Sequence, residues 1–392
     1  YYADEWFCFS PREFSSVSST NYLEKSNFSK TNTIIFIKKN LIIIIIKMNS
    51  DFIKKGQFQK KLNKNITQCL TCEHRCKISE GNVGICKTRR NIKGEIYTTV
   101  YGKISSLSYN PIEKKPFFHF HPGTTAITVG TFSCNFDCFW CQNWDISNQD
   151  PSQFNSKNLF ISPDRLIKMA KSRACNGTSI SFNEPTLLFE YSQEVFKLAK
   201  KEGFYNTYVT NGYMTEMVLK SLAKNGLDAL NIDIKGNRKF VKKYCKAEVE
   251  KVWRNAKLSK ELGMHVEITT LVIPGMNSDS ATFKKISERI CSDLGNETPW
   301  HITRFHPAYK SIEHLAIEPT PVELLEKAYV IGKESGLNYI YLGNVPGHKY
   351  ENTYCPNCGN IVIKRHIFDI EKINLTDNGK CAKCNYDLNI IM

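Results

Sequence analysis

Short apolar runs alternate with helix-like segments from residue 126 onward, and this alternation restricts the fold more than any other feature. Short apolar runs bounded by turn residues are typical of buried strands. Their regular repetition with helices indicates βαβ units and a parallel sheet. The strand-like runs lie at 126–130, 178–182, 206–210, 230–234, 265–273, 300–305 and 339–343. The sequence therefore predicts an α/β fold, either an open doubly wound sheet or a complete or partial β/α barrel.

Two of the intervening helices have recognisable starts. Ser162 precedes Pro163, and Thr320 precedes Pro321, so each pair offers a capping hydroxyl before a proline that suits the first helical position. Gly336 offers a stop for the second of these helices. We therefore expect Ser162 and Thr320 to be N-caps.

Polar motifs follow four of the predicted strands. The motifs are CNFDCFWC after the first strand, NEPT after the second, TNG after the third and DIK after the fourth. In both candidate architectures the functional loops follow the carboxyl ends of the parallel strands. Their convergence on one rim predicts a single active site.

Three cysteines in the first motif, Cys134, Cys138 and Cys141, have the spacing C-x3-C-x2-C. This spacing differs from the paired C-x2-C of zinc knuckles. Three thiolates also leave one position open on a four-coordinate metal or a four-iron cluster. An incomplete ligand set is the usual sign of a catalytic site. The aromatic residues within this motif are expected to shield such a site or to pack the loop.

Eleven of the fifteen cysteines fall into three tight clusters, which suits a reducing cytoplasm better than a disulfide framework. The last cluster reads C-x2-C-x22-C-x2-C, the spacing of a zinc ribbon that fastens the C-terminal tail or grips a partner. The first cluster reads C-x2-C-x3-C-x9-C and suits either a zinc ion or an auxiliary iron–sulfur cluster, since both accept four thiolates. The C-terminal set is Cys355, Cys358, Cys381 and Cys384, and the N-terminal set is Cys69, Cys72, Cys76 and Cys86.

The formal charge of +15 counts every thiol as neutral. Metal-bound thiolates would reduce it to roughly +10. The lysines are spread along the chain, so a solvated basic surface is expected and nucleic-acid binding is only weakly indicated.

The first 47 residues lack periodicity and contain two short isoleucine-rich runs interrupted by Lys38 and Lys39. Neither run reaches the roughly 20 apolar residues that span a bilayer, so we expect no membrane segment. No small-residue cleavage site follows them either. We expect residues 1–47 to be a non-native or disordered extension ahead of Met48, with an N-terminal anchor as the alternative, and exclude them from the fold.

The motifs together resemble the radical S-adenosylmethionine (radical SAM) superfamily, and within it the radical enzyme of the AmmeMemoRadiSam system. That group is related to pyruvate formate-lyase activating enzymes. The resemblance covers about residues 66–385 and rests on the three-cysteine loop with CLTCEHRCKISEGNVGICKTRRN, YGKISSLSYNPIEKKPFFHFHPG, VTNGYM, TTLVIPGMN, PWHITRFHP and NVPGHKYENTYCPNCG. It implies a partial (β/α)6-type TIM barrel at 115–350, a cysteine-rich segment at 48–114 and a zinc-ribbon tail at 351–392.

The resemblance also implies the cofactors and the partners. Cys134, Cys138 and Cys141 would hold a [4Fe–4S] cluster, and S-adenosylmethionine (SAM) would chelate the open iron and be cleaved to a 5′-deoxyadenosyl radical. A reductant protein such as flavodoxin or ferredoxin would supply the electron. The implied cosubstrate contacts are Asn183, Glu184, Thr210, Asn211, Asp233, Lys235, Pro274 and His306. Arg304 and His306 are the candidates for a catalytic role, and His301 and His348 are further candidates for contact with the substrate or cosubstrate.

Some of these assignments have structural alternatives. Glu184 could instead cap the helix that starts near Thr186, and His301 and His348 could be structural residues. We expect no plain surface salt bridge between Asp233 and Lys235 within a strand. Relatives with a cation site carry an acidic residue where this chain has Val209, so that site is not expected here.

The substrate is not identified by the sequence. One alternative is an activating enzyme that generates a glycyl radical on a protein partner, and another is an RNA-modifying enzyme. A non-enzymatic metal-binding scaffold would leave the open three-cysteine loop without a purpose.

Overall fold

The computed structural model describes residues 50–314 and 317–392, so the prediction for residues 1–47 lies outside the described residues. The strands are β1 Lys54–Lys55, β2 Gln59–Lys61, β3 Ile66–Cys69, β4 Lys77–Ser79, β5 Arg89–Ile92, β6 Glu95–Thr98, β7 Ser106–Pro111, β8 Thr125–Gly130, β9 Gly177–Ile180, β10 Tyr205–Thr210, β11 Ala229–Asp233, β12 His265–Val272, β13 Trp300–Arg304, β14 Ile340–Gly343, β15 Thr353–Tyr354, β16 Ile361–His366 and β17 Asp369–Ile373.

Helices connect the strands of the second half. The helices are α1 Trp144–Ser147, α2 Pro163–Ser172, α3 Phe189–Lys201, α4 Glu216–Lys224, α5 Arg238–Phe240, α6 Val249–Glu261, α7 Ser280–Arg289, α8 Lys310–His314 and α9 Val322–Glu334. Two π-helical turns, Val241–Cys245 and Ile290–Leu294, extend α5 and α7.

An eight-stranded sheet carries the α/β fold. Strands β8 to β14 pair in chain order and run parallel, so each predicted strand-like run is confirmed as a strand. Alternate side chains such as Ile127, Tyr208 and Ile268 pack with the helices in one buried core. The side chains on the other face of the sheet, which point away from these helices, form what we call the inner face. The more specific expectation, that this sheet forms a partial barrel, remains a prediction.

The sheet begins earlier in the chain than the predicted start at residue 115. Strand β7 pairs antiparallel with β8, from Ser106 opposite Gly130 to Pro111 opposite Thr125. An antiparallel edge strand needs only a short connection to its neighbour, and the βα repeat therefore does not reveal it.

Residues 116–121, which we call the floor segment, cross the inner face near the amino-terminal ends of the strands. The backbone N–H groups of Phe118 and His119 donate to the buried carboxylate of Glu267 on β12 at 2.9–3.1 Å. The Phe118 ring lies 4.8 Å from His301 and 4.6 Å from Tyr341. The floor segment thus fastens β12, β13 and β14 from one side.

The C-terminal tail packs beneath the floor segment. Its small sheet of β15, β16 and β17 carries Arg365, whose buried guanidinium donates to the Phe118 carbonyl at 2.9 Å and to the Thr353 hydroxyl at 2.7 Å. Ile391 exchanges two backbone hydrogen bonds with the floor segment, at His119 and His121. The tail therefore lies at the edge of the sheet opposite the cysteine loop.

The cysteine-rich segment forms two three-stranded sheets, β1-β6-β5 and β2-β3-β4. A buried ion pair joins it to α3, with Arg89 Nη1 2.6 Å from Glu190 Oε1. Thr215 Oγ1 donates to the Leu70 carbonyl at 2.8 Å, and the backbone of Cys72 forms an isolated antiparallel β-bridge with that of Met214. The segment is thus bound to the loop that follows β10.

Only one of the two predicted caps is confirmed. The Ser162 hydroxyl accepts from the Arg165 N–H, as expected of an N-cap. Thr320 does not cap α9, because the chain stays extended through Pro321 and its hydroxyl instead bonds the Phe305 N–H and the Val272 carbonyl. None of the helices in residues 50–314 and 317–392 is long and apolar enough to cross a membrane.

Candidate metal centre

The three-cysteine loop leaves the carboxyl end of β8 and is held in place by Asn183. The side-chain oxygen of Asn183 accepts from the Thr131 N–H at 3.1 Å, and its amide donates to the Ser133 carbonyl at 2.6 Å. Both groups of this amide are therefore engaged. The structure shows Asn183 positioning the loop, and its predicted contact with the cosubstrate remains a prediction.

The thiols of Cys134, Cys138 and Cys141 are half-buried on this loop. The backbone N–H of Phe136 donates to Cys134 Sγ at 3.4 Å. The three sulfur atoms do not all lie within 4.8 Å of one another, whereas a single ion would need them that close. Three thiol donors on one loop leave one position open, and the donor set therefore fits a [4Fe–4S] group with one open corner.

Glu184 is buried and bonded entirely within the protein. Its carboxylate accepts from the Thr186 N–H at 3.0 Å, the Thr210 hydroxyl at 2.8 Å and the Asn211 N–H at 2.9 Å. Burial raises the pKa of Glu184, and these donors oppose the shift. Glu184 thus caps the short helix Pro185–Leu188, which is the structural alternative, and its predicted cosubstrate contact remains a prediction.

Asn211 joins the loop after β10 to the three-cysteine loop. Its amide nitrogen lies 2.7 Å from Asn135 Oδ1 and 4.0 Å from Cys134 Sγ. Its side-chain oxygen accepts from the Tyr213 N–H at 3.0 Å. The structure therefore brings Thr210, Asn211 and Glu184 together beside Cys134.

The expectation for Asp233 and Lys235 was wrong. Lys235 Nζ lies 3.0 Å from Asp233 Oδ2, since side chains two residues apart in an extended chain project to the same side. Burial acts against the charge on Lys235, but the Asp233 carboxylate and the thiols of Cys138 and Cys245 outweigh it and raise its pKa. A cation therefore lies beside the cysteine loop.

The remaining predicted contacts lie after β12 and β13. Pro274 is half-buried just after β12, ahead of Gly275 with its positive φ of 70°. Arg304 is half-buried, and its Nε donates to the Thr320 carbonyl at 2.8 Å. His306 is exposed, and its pKa is lowered by partial burial and by the charge of Arg304.

Histidines 301 and 348 take structural positions. His301 Nε2 lies 2.6 Å from Glu267 on the inner face, and His348 Nε2 lies 3.2 Å from Glu326. The His348 side chain also accepts from the Tyr350 N–H.

Two residues near the site were not predicted from the sequence. Cys245 is fully buried on the π-helical turn, with its sulfur 3.8 Å from Cys138 Sγ. Lys115 is 5% exposed, and its ammonium lies 4.7 Å from the centre of the Phe182 ring, just before Asn183. Within the described residues the ammonium has no hydrogen-bond or ion-pair partner, and burial together with Lys114 lowers the pKa of Lys115 to about 7. A lone cysteine and a Lys-Lys pair give no signal of such positions in a sequence.

The two flanking cysteine sets differ in geometry. In the C-terminal set the Sγ atoms all lie within 4.8 Å, with Cys355 3.6 Å from Cys384 and Cys358 3.7 Å from Cys381. The N-terminal set surrounds a small cavity that is also lined by His74, Arg89 and Asn135. Within the described residues, the C-terminal set is the only group of three or more potential ligands that lie this close together.

Several known proteins are similar in sequence to this chain. A sequence profile described as the Radical SAM superfamily matches residues 128–286. An uncharacterized protein of Methanocaldococcus jannaschii is 42% identical over 340 residues, covering 86% of this chain and 100% of the relative. A second protein of that organism, named a putative glycyl-radical enzyme activating enzyme, is 30% identical over 55% of this chain and 78% of its own length.

Among solved structures, a domain of the pyruvate-formate lyase-activating enzyme from Bacteroides vulgatus is 19% identical with a TM-score of 0.37. The match covers 43% of this chain and 99% of that domain.

Proposed function

The chain belongs to the radical SAM superfamily and is an enzyme, and from that premise we propose that it cleaves SAM reductively at the three-cysteine loop. In this proposal Cys134, Cys138 and Cys141 hold a [4Fe–4S] cluster whose open corner takes SAM. When bound, the cluster supplies the electron that splits SAM into methionine and a 5′-deoxyadenosyl radical for hydrogen abstraction. The observation that carries the proposal is the presence of three half-buried thiols on one loop after β8, anchored by Asn183 and Asn211.

The surrounding residues have separable roles in this proposal. Asn183 and Glu184 hold the loops after β8 and β10 at fixed positions, so that the thiols are preorganised. In this proposal the Lys235 ammonium would offset the negative charge of a thiolate-bound cluster and would meet the carboxylate of SAM. Pro274, Arg304 and His306 extend the same rim and would contact SAM or the substrate.

We further propose that the C-terminal cysteines bind zinc with a structural role. Four thiolates around one zinc ion at about 2.3 Å have sulfur–sulfur edges near 3.8 Å, close to the two contacts between Cys355 and Cys384 and between Cys358 and Cys381. The tail packs at the opposite edge of the sheet from the cysteine loop, which favours fastening of the tail over contact with the substrate.

A protein substrate is the favoured substrate class, because a relative at 30% identity bears the name of a glycyl-radical enzyme activating enzyme. The enzyme would then act in the cytoplasm with a reductant protein such as flavodoxin or ferredoxin. Mixing the reduced enzyme and SAM with candidate partner proteins should produce a glycyl radical signal in electron paramagnetic resonance (EPR) spectra. Absence of this signal with every candidate would reject the activating-enzyme proposal.

The cleavage proposal is tested on anaerobically reconstituted protein with dithionite and SAM. Cys138→Ala should lose about four irons and all formation of 5′-deoxyadenosine. Cys358→Ala should keep the iron and the cleavage but lose about one zinc and thermal stability. Cys291→Ala, at a half-buried cysteine outside the three sets, is the matched control and should change neither metal.

Equal loss of cleavage in the Cys138 and Cys358 variants, with both folded, would contradict this division of roles. Failure of the unaltered protein to bind SAM would reject the proposal itself.

A further inference from the structure

We infer that Cys69, Cys72, Cys76 and Cys86 bind a second iron–sulfur cluster that passes electrons to the three-cysteine loop. The four cysteines surround one cavity, and three of them are buried. The metal-binding part of this inference stands alone, whereas the electron-transfer part rests on the proposed function.

The C-terminal cysteines provide an internal standard for a zinc site. In that set the sulfur atoms of Cys355 and Cys384 lie 3.6 Å apart, and those of Cys358 and Cys381 lie 3.7 Å apart. All four sulfur atoms lie within 4.8 Å of one another. No three sulfur atoms of the N-terminal set meet that limit, although the same chain positions both sets. A cubane binds its thiolates at four separate corners, so its ligands must stand farther apart than those of a single ion. The N-terminal set and the three-cysteine loop therefore both lack the close sulfur spacing of the C-terminal set.

The cavity adjoins the three-cysteine loop directly. The residues on both sides of Cys134 contact the N-terminal set: the Ser133 hydroxyl donates to the Cys86 carbonyl at 2.8 Å, and the Asn135 carbonyl lies 2.7 Å from His74 Nε2. Asn135 also lines the cavity. A cluster held there would therefore be separated from Cys134 by about one layer of residues.

A buried cation faces the cavity. The Arg89 guanidinium lines it and is held 2.6 Å from Glu190 and 3.3 Å from the Leu187 carbonyl. Thiolate-bound clusters carry net negative charge, and a fixed cation reduces the cost of burying it. The same ion pair fastens the segment to α3, so the cavity keeps its position relative to the cysteine loop.

The outer side of the cavity is open to a protein donor. Ile85 lines the cavity yet is 63% exposed, and Val83 is 39% exposed beside it. Lys77 and Lys87 are exposed next to two of the cysteines. An apolar centre with lysines at its rim suits an acidic one-electron carrier protein.

The electron balance is one electron for each SAM. The carrier is oxidised by one electron, which reaches the three-cysteine loop through the second cluster. SAM takes up that electron, and one carbon–sulfur bond of its sulfonium breaks to give methionine and the 5′-deoxyadenosyl radical.

Metal counting on the full chain tests the metal site. Anaerobically prepared and reconstituted protein should hold about eight irons and one zinc, and Cys72→Ala should hold about four irons and one zinc. The unaltered protein, reduced with dithionite, should give two cluster signals in EPR spectra, of which SAM changes one. This measurement needs no variant and so remains informative if Cys72→Ala fails to fold. About four irons with two zincs would overturn the inference.

A surface variant tests electron transfer. Val83→Asp, at an exposed residue outside the cavity lining, keeps every ligand and should slow SAM cleavage driven by a reduced flavodoxin by about fivefold or more, with no change when dithionite is the reductant. Val330→Asp, at a residue 50% exposed on α9, is the matched control and should change neither rate. Equal flavodoxin-driven rates for Val83→Asp and the unaltered protein would overturn the transfer route. Absence of cleavage with both reductants would instead reject the proposed function, while the iron count would still decide the metal site.

Discussion

The buried ammonium of Lys115 gives a prediction whose size follows from the structure. Its pKa falls from 10.5 to about 7 because burial penalises the charge and no acidic group compensates. Each pKa unit is worth about 1.4 kcal/mol, so holding the charged form inside the protein costs about 5 kcal/mol at pH 6. Lys115→Met removes this cost, and the methionine sulfur keeps a favourable contact with the Phe182 ring.

The pH dependence has a defined sign. Between about pH 7 and pH 10.5 the unfolded chain binds more protons than the folded chain, so the stability of the unaltered protein rises with pH. The stabilisation by Lys115→Met should therefore fall from about 5 kcal/mol at pH 6 to about 2 kcal/mol at pH 9. For the 341 described residues at about 2.1 cal/mol/K each, these free energies correspond to rises in the melting temperature of about 7 °C and about 3 °C.

Anaerobic thermal unfolding of metal-loaded protein at pH 6, 7, 8 and 9 measures this difference. Both proteins keep every cysteine, so metal release affects them alike. Lys197→Met, at an exposed lysine on α3, is the matched control and should shift the melting temperature by less than about 1 °C. A difference that stays constant from pH 6 to pH 9, or a Lys115→Met variant that is less stable at pH 6, would refute the reasoning.

Two further predictions concern the residues around the three-cysteine loop. Glu184→Gln replaces an accepting carboxylate oxygen by an amide nitrogen that faces a donor, so the free energy of unfolding should fall by about 1–3 kcal/mol. Equilibrium binding should show weaker SAM binding, and metal analysis should show unchanged iron content. Loss of the iron would contradict this role. Cys245→Ala removes a thiol whose sulfur lies 3.8 Å from Cys138 Sγ and which can donate a hydrogen bond to that sulfur when Cys138 binds the proposed cluster. The midpoint potential of this cluster should therefore fall in an EPR-monitored redox titration. An unchanged midpoint potential would show that no such hydrogen bond forms.

The strands and the three-cysteine loop were predictable because their signals are local. Each parallel strand is a short apolar run between turn residues, and the polar motifs stand where those runs end. The placement of Asn183, Thr210 and Asn211 near Cys134 follows from this topology alone. The pattern identified the rim correctly without giving the hydrogen bonds within it.

The hydrogen-bond partners depend on contacts between distant residues, which no local pattern encodes. The Glu184 carboxylate accepts hydrogen bonds from Thr186 and from Thr210 and Asn211 at the end of β10, and Lys235 pairs with Asp233. Lys115 is buried because the floor segment that follows it crosses the inner face, and that crossing is fixed by Glu267 far along the chain. The choice between zinc and iron at the N-terminal cysteines likewise depends on sulfur positions that spacing does not determine.

The bond between the floor segment and Ile391 has a consequence for biosynthesis. A ribosome releases the cysteine loop long before the C-terminal tail, yet the floor segment acquires its last partners only from that tail. Contacts separated by some 270 residues close late, since the intervening chain must first be ordered. A nascent chain would therefore expose the amino-terminal edge of its sheet until the tail has emerged from the ribosome and packed.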